Sequence, residues 1–86
     1  MKYRATRRFW NCYSALPEQI RQLADKCFAL LKEDPSHPSL HFKKVGGLWS
    51  ARVGAAHRAL AVPDGDDLVW VWIGTHDEYE RMIMGR

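Results

Sequence analysis

His76 and Tyr79 follow the longest apolar run of the chain, and both side chains can take part in proton transfer. Histidine serves as a general acid or base because its unperturbed pKa is about 6.5. Lys43, Arg52 and Arg58 are spread over the segments that precede this run. Guanidinium and ammonium groups bind phosphate and stabilise the negative charge that develops on it. The five residues therefore suit cleavage of a phosphodiester, with Tyr79 stacking on a base or moving a proton.

Each of these residues also has a simpler interpretation. Lys43 and the adjacent Lys44 are compatible with a solvated strand edge, and Arg52 with the exposed polar face of a sheet. His76 is equally suited to capping a helix. The sequence contains no phosphate-cradling glycine loop, no catalytic carboxylate pair and no serine-nucleophile elbow. Cleavage of RNA without a metal requires a base for the 2′-hydroxyl, an acid for the 5′-oxygen and fixed positive charge.

A metal cofactor is not expected, and neither is any other cofactor. His37 and His41 are four residues apart, but Pro38 lies between them and prevents a helix that would place both on one face. Cys12 and Cys27 have no metal-ligand spacing and are too few for a disulfide framework. Cys27 falls on the apolar stripe of a predicted helix, which favours a buried, reduced thiol.

Size and charge limit the class of protein. With 86 residues, 47% of them hydrophobic, residues 1–86 should form one domain with a single core. Such a domain is too small to enclose a substrate cavity, so an open site for a polymer is expected. The net charge of +3 favours an acidic partner such as nucleic acid, although only weakly. The first residues lack the apolar segment of a signal peptide, so we expect a cytoplasmic protein with no membrane partner.

The elements that position the candidate residues follow from the hydrophobic pattern. Residues 5–13 are predicted to form a first strand. Residues 16–34 repeat apolar side chains at steps of three and four, which predicts a helix that begins near Pro17 and ends before Pro35. Short strands are predicted at residues 40–45, 48–53, 57–62 and 68–73, and a terminal helix at residues 77–84.

The run at residues 68–73 is apolar at every position, which is typical of a strand buried on both faces. An Asp64-Gly65 hairpin turn precedes it and Gly74 ends it. We therefore expect an α+β fold in which the strands pair in chain order and the long helix packs on one face of an antiparallel sheet. Trp49, Trp70 and Trp72 are expected in the core. The other face would carry the cationic side chains, with no helix long enough to cover it.

Three segments together resemble the RelE/ParE superfamily of toxins from bacterial type II toxin–antitoxin systems. They are residues 40–53 (LHFKKVGGLWSARV), residues 57–60 (HRAL) and residues 72–79 (WIGTHDEY), and the helix before Pro35 also fits. The likeness covers nearly the whole chain. It implies a compact RelE-like fold with an N-terminal strand, a long helix on a curved antiparallel sheet and a short C-terminal helix.

The resemblance also implies a function. Members of the RelE type are metal-independent ribonucleases that cut mRNA, usually on the ribosome, whereas members of the ParE type inhibit DNA gyrase without cutting RNA. A cognate antitoxin protein holds both types inactive. The expected partners are therefore an antitoxin, mRNA and the ribosome, and the expected activity is that of an endoribonuclease. A ParE-type toxin and a non-toxic antitoxin-binding relative remain the alternatives.

Site residues follow from the resemblance position by position. Lys43 and Lys44 match the basic strand positions of the ribonuclease type, and Arg52 matches the arginine of the next strand. His76 stands at the end of the last strand, where some members have arginine instead. The hypothesis is that His76 is the general acid or base and that Arg52 and Lys43 stabilise the phosphorane. Tyr79 would hold the substrate base.

Two further positions are assigned to RNA binding. Arg58 matches an arginine that is common in the family and that can also be structural. Lys44 would contact the RNA backbone beside the catalytic residues.

Overall fold

The structure is a computed structural model that describes residues 2–84, and its secondary structure follows a strand–helix–helix–meander–helix order. The elements are β1 (Tyr3–Ala5), α1 (Arg7–Ser14), α2 (Glu18–Glu33), a 3-10 helix (Pro38–Leu40), β2 (Lys43–Val45), β3 (Leu48–Val53), β4 (His57–Asp64), β5 (Asp67–Thr75) and α3 (His76–Met84).

The five strands form one sheet in the order β1-β5-β4-β3-β2. Strands β2 to β5 pair antiparallel in chain order, as predicted from the turn signals. The predicted α+β class is confirmed, but β1 pairs parallel with β5, so the sheet is mixed instead of antiparallel throughout. The apolar strand β5 is second in the sheet, and β4 is the middle strand.

The N-terminal segment differs most from the prediction. The expected strand at residues 5–13 is wrong, because only Tyr3–Ala5 is extended and α1 follows directly. Thr6 begins this helix, since its hydroxyl accepts a hydrogen bond from the backbone N–H of Phe9 at 3.2 Å. Phe9 is fully buried in the core, and Cys12 and Tyr13 pack against the same core from positions three and four residues later. The helical spacing of these residues overrides their preference for strands.

The predicted strand at residues 40–45 is shorter in the structure. Pro38–Leu40 forms a 3-10 helix whose first turn is capped by His37, the Nδ1 of which accepts the backbone N–H of Ser39 at 3.2 Å. His41 follows in a left-handed conformation, with φ 43° and ψ 43°. This residue breaks the extended backbone, so β2 begins only at Lys43.

A bulge in β5 explains how one apolar run serves both faces of the sheet. Leu60 of β4 pairs with Trp72 and Ala61 pairs with Trp70, which leaves Val71 as an extra residue in β5. Trp70 packs with the core on the α2 side, whereas Trp72 belongs to a second cluster on the other side. Both tryptophans are buried, as predicted.

The helix α2 covers one face of the sheet. Its buried residues Ala24 and Leu31 pack against the small side chains of β3 and β4. Leu23 belongs to the apolar repeat of residues 16–34 but is 38% exposed. Cys27 is a free thiol on this side, and burial raises its pKa, with an opposing hydrogen bond from the Gly54 backbone.

The second face of the sheet is partly covered by α3. Tyr79 is buried there against Leu60 and Trp72, and Ile83 packs against the same cluster. The expectation that no helix covers this face is therefore wrong for the part of the face under α3. Within residues 2–84, none of the helices combines the length and the apolar character that crossing a membrane requires.

Candidate active site

A cleft of about 230 Å³ opens where β3 ends, β4 begins and β5 continues into α3. Its lining residues come from the end of the 3-10 helix, β3, the β3–β4 turn, β4 and α3. They are His41, Arg52, Ala55, His57, Arg58 and His76. The structure thus brings three of the sequence-predicted residues, Arg52, Arg58 and His76, into one open cleft.

Two arginines face each other in this cleft. Arg52 and Arg58 are directly paired in the antiparallel register of β3 and β4, and directly paired residues point to the same face. Like charges in such a pair destabilise a sheet. Among residues 2–84, neither arginine has a carboxylate within ion-pair distance. The cleft therefore concentrates positive charge that a bound phosphate would neutralise.

Arg58 is held by contacts on three sides. Its Nη1 donates to Ser50 Oγ at 3.3 Å, and its Nε donates to His76 Nδ1 at 3.3 Å. Its guanidinium carbon also lies 5.1 Å from the centre of the Tyr79 ring, within range of a cation–π interaction. Ser50 is fully buried in β3, so its hydroxyl gives the arginine a rigid support. Arg52 is held differently, because its Nε donates to the Gly54 carbonyl at 2.9 Å.

The N-terminus of α3 places His76. Thr75 and Glu78 form a capping box, in which the Thr75 hydroxyl accepts the Glu78 N–H and the Glu78 carboxylate accepts the Thr75 N–H, both at 3.1 Å. Hydrogen bonds from the Thr75 backbone N–H and hydroxyl lower the pKa of Glu78. The backbone N–H of His76 donates to the Ala56 carbonyl at 2.7 Å, which ties the helix to the β3–β4 turn. Thr75, rather than His76, is therefore the cap.

The two ring nitrogens of His76 have different partners. Nδ1 accepts from Arg58, and a guanidinium can only donate, so Nδ1 carries no proton in this arrangement. Nε2 lies 2.8 Å from the Glu80 carboxylate, one helical turn further along α3. The hydrogen-bond network thus assigns the neutral tautomer with the proton on Nε2, which donates to Glu80. Nδ1 therefore presents its lone pair to the cleft, where Arg58 Nε donates to it.

Tyr79 supports the cleft from below. Its ring stacks on the His76 ring, with 5.8 Å between ring centres and an interplanar angle of 26°. The residue is only 7% exposed. Such burial leaves little ring surface for a nucleotide base, so the observed contacts of Tyr79 are those of a positioning residue.

The two lysines lie on opposite faces of β2. Lys43 pairs with Ser50 and therefore points to the face of the sheet that carries the cleft. It is exposed and stands outside the cleft lining. Lys44 pairs with Trp49, which packs against the core on the α2 side. The structure thus places Lys43 at the margin of the site and Lys44 on the face away from it.

Sequence reasoning missed four side chains of this region. Glu80 follows His76 at the i, i+4 spacing of a helix, and a helix that starts at His76 would have revealed it. Ser50 alternates with Arg52 along β3, so its face was visible but its contact with Arg58 was not. His41 was considered only as a metal ligand and rejected, and His57 was assigned no role. His57 Nδ1 is buried without a hydrogen-bond partner among the described residues.

Comparison with solved structures confirms the RelE-type fold. A YoeB/ParE toxin from Agrobacterium tumefaciens is 20% identical with a TM-score of 0.66, and the match covers 88% of this chain and 99% of that chain. The RelB–RelE antitoxin–toxin complex from Methanococcus jannaschii matches at 16% identity and a TM-score of 0.72, over 92% and 96%. The isolated RelE toxin of E. coli matches at 10% identity and a TM-score of 0.64, over 98% and 96%. No protein-family model and no curated protein matches the sequence.

Proposed function

We propose that this chain, which has the fold of RelE/ParE-type toxins, is the toxin of a type II toxin–antitoxin system and a metal-independent endoribonuclease that cleaves mRNA. One observation carries the proposal. Two arginines without a carboxylate partner among residues 2–84 meet a neutral histidine in an open cleft at the end of the sheet. This combination supplies fixed positive charge and a proton acceptor next to each other, which are the requirements of transesterification at an RNA phosphate.

The arginines bind the scissile phosphate in this proposal. Arg52 and Arg58 approach from neighbouring strands, so their donors can contact different oxygens of one phosphate group. A phosphate that accepts from Arg58 competes with His76 Nδ1 for the same guanidinium. Substrate binding therefore releases the lone pair of His76 at the place where the 2′-hydroxyl must lose its proton.

His76 acts as the general base. Once Nδ1 takes the proton of the 2′-hydroxyl, the ring becomes an imidazolium whose Nε2–H faces the Glu80 carboxylate at 2.8 Å. A carboxylate behind a histidine orients the ring and stabilises the imidazolium. Tyr79 keeps the ring in place by stacking on it and also contacts Arg58. We therefore assign Tyr79 a positioning role instead of base stacking.

The remaining cations extend the binding surface. Lys43 lies on the cleft face of β2 and is proposed to contact the RNA backbone next to the scissile phosphate, where it adds to the stabilisation of the phosphorane. Lys44 points away from the cleft and is assigned no contact with the scissile group. Its charge contributes only to the general attraction of an anionic partner.

A cognate antitoxin is the proposed protein partner. Several solved neighbours are toxin–antitoxin complexes, among them the RelB–RelE complexes of Methanococcus jannaschii and Pyrococcus horikoshii. An antitoxin that covers the cleft or the surface around it would block access of mRNA. The open shape of the cleft also agrees with a substrate presented by a larger particle, and we propose the ribosome as that particle.

The test is to induce the chain briefly in a bacterial host and to map new 5′ ends in mRNA. Wild type should produce ends that cluster within translated frames. His76→Ala should reduce them by about 100-fold or more, the usual range for loss of a general base. Each purified variant should show the circular dichroism spectrum and melting behaviour of wild type, which separates a lost function from a lost fold.

The two lysines provide a matched control. Lys43→Ala should lower cleavage because it removes a cation on the cleft face, whereas Lys44→Ala removes the same charge from the opposite face and should have a smaller effect. Growth arrest without new 5′ ends would contradict the ribonuclease proposal. It would indicate a ParE-type target such as gyrase. Growth without arrest or cleavage would indicate a non-toxic relative.

A further inference from the structure

The cleft contains a second arginine–histidine pair, whose histidine has no role in the proposed reaction. Arg52 Nη1 lies 3.5 Å from His41 Nε2, on the side of the cleft away from α3. Arg58 and His76 form the other pair, with 3.3 Å between Nε and Nδ1. A guanidinium has only donors, so a hydrogen bond in either pair requires the facing histidine nitrogen to be the acceptor. Each histidine is thus linked to one of the two phosphate-binding arginines.

The backbone of His41 is unusual in a way that points to the same site. Among residues 2–84, it is the only non-glycine residue with positive φ. Such conformations persist where the surrounding structure determines them, and they cluster at functional sites. Here the support is the 3-10 helix before it, because Leu40 is fully buried and the Pro38 carbonyl accepts the His41 N–H at 3.3 Å. The anchored turn presents an exposed imidazole at the cleft.

We propose that His41 is the general acid of the reaction, which protonates the departing 5′-oxygen while His76 acts as the base. This inference rests on the proposed ribonuclease function. The assignment of roles follows from the surroundings of each ring. His76 has the Glu80 carboxylate behind it, which stabilises the proton that a base acquires. His41 has no carboxylate among its described contacts and is exposed, so it can exchange protons with water between turnovers.

The step balances in protons and bonds. His76 Nδ1 takes the proton of the 2′-hydroxyl, and the 2′-oxygen forms a bond to phosphorus. The bond between phosphorus and the 5′-oxygen breaks, and that oxygen takes a proton from His41 Nε2. The products are a 2′,3′-cyclic phosphate and a 5′-hydroxyl, with one proton gained by His76 and one lost by His41. Solvent restores both rings.

The geometry explains when His41 can carry its proton. A protonated Nε2 cannot accept from Arg52, so the resting contact and the acid form exclude each other. A phosphate in the cleft takes the Arg52 donors and brings negative charge close to the ring. A bound phosphate would therefore free His41 Nε2 from Arg52 at the place where the leaving oxygen needs a proton.

The experiment compares two RNA substrates that carry the mapped cleavage site and are presented on ribosomes. One has the normal linkage, and the other has sulfur in place of the 5′-bridging oxygen. A thiolate leaves without protonation because thiols are far more acidic than alcohols, with a pKa of about 8.5 for cysteine. His41→Asn should cleave the normal linkage at least about 100-fold more slowly than wild type. The same variant should cleave the sulfur linkage at nearly the wild-type rate.

The choice of variants keeps folding and catalysis apart. Asparagine tolerates the left-handed conformation, and His41→Gly adopts it without strain, so both should fold at least as well as an alanine variant. His76→Ala should lose cleavage of both linkages, because a base is needed for either leaving group. Lys26→Ala, at an exposed position of α2 on the other face of the sheet, is the control with an altered charge outside the cleft.

Three outcomes would overturn the inference. Cleavage of the normal linkage at the wild-type rate by His41→Asn would show that His41 transfers no proton. Equal losses on both linkages would show that His41 acts in binding or folding only, while leaving the ribonuclease proposal intact. Failure of wild type to cleave either substrate would remove the proposed function and the inference together.

Discussion

The contact between Ser50 and Arg58 yields a prediction that separates site support from ordinary packing. Ser50 is the one buried polar residue in the core of the described chain, with no exposed surface, and its hydroxyl accepts from Arg58 Nη1 at 3.3 Å. A serine in this position of a strand costs stability unless its hydroxyl has a partner. We therefore expect Ser50 and Arg58 to be energetically coupled.

The magnitude follows from burial on the two sides of the contact. A hydrogen bond to a charged group contributes about 1.5–3 kcal/mol, and the lower figure applies to a long bond whose donor is half-exposed. Ser50→Ala should therefore cost about 1 kcal/mol, since Arg58 can recover water. That loss lowers Tm by roughly 4–8 °C in a domain of this size. In an Arg58→Ala background the same substitution should be neutral or stabilising, because it removes a buried hydroxyl without a partner.

The measurement is a double-mutant cycle by urea unfolding. The cycle compares wild type, Ser50→Ala, Arg58→Ala and the double variant. If the dependence of unfolding free energy on urea (m) is the same for all four, differences in the unfolding midpoint report differences in stability. The expected coupling is about 1–2 kcal/mol, as for contacting residues. Ser14→Ala, at the exposed end of α1, is the matched control and should change stability by less than about 0.5 kcal/mol. If the proposed function is right, Ser50→Ala should also slow RNA cleavage about tenfold, since it loosens the arginine proposed to bind the phosphate.

An equal cost of Ser50→Ala in both backgrounds would refute this reasoning. The serine would then merely fill space in β3, and the position of Arg58 would depend on His76 and Tyr79 alone. Loss of stability without loss of cleavage would weaken the link between the support and the site.

Further predictions concern α3. Glu80→Gln keeps the size of the side chain but removes the charge behind His76, so kcat should fall about tenfold, equivalent to about 1.4 kcal/mol in the barrier, with KM less affected. A larger change in KM than in kcat would contradict the role of Glu80 behind the base. Thr75→Ala removes the helix cap and should cost about 1 kcal/mol in urea unfolding. Hydrogen bonds from Thr75 lower the pKa of Glu78. The ionised Glu78 carboxylate therefore stabilises the folded protein, and this contribution is complete above the ordinary glutamate pKa of about 4.3. It is lost as pH falls through the lowered value, and Glu78→Gln should remove this part of the acid destabilisation between pH 7 and pH 3.

Local patterns in the sequence were sufficient for most of the meander. Strand β3 follows from alternation, β4 and β5 follow from the Asp64-Gly65 turn and the apolar run after it, and α2 follows from apolar spacing before Pro35. The N-terminal segment was misassigned because Phe9, Trp10 and Tyr13 have strong strand preference. The Thr6 hydroxyl accepts the Phe9 N–H and starts a helix here. A prediction from residue preferences alone does not include this capping hydrogen bond.

The site was predictable only as far as strand alternation reaches. Alternation places Arg52 on the polar face of β3, and His76 follows directly after the end of β5. The position of His41 depends on a left-handed residue after a 3-10 helix, and no periodic pattern encodes that. For Lys44, alternation along β2 is the better guide, because it places Lys43 and Lys44 on opposite faces of the sheet. The family resemblance grouped both lysines with the RNA site.

The placement of charge around the cleft supports the proposal of an RNA substrate. Two opposed arginines would ordinarily be relieved by a carboxylate between them, and the carboxylate that contacts the site, Glu80, is instead committed to the far nitrogen of His76. The cleft thus keeps its positive charge and, beside it, an unprotonated nitrogen. An anion alone satisfies only the first feature. A phosphate with a hydroxyl on the neighbouring carbon satisfies both, and in nucleic acids that pair of groups is found in the ribose of RNA.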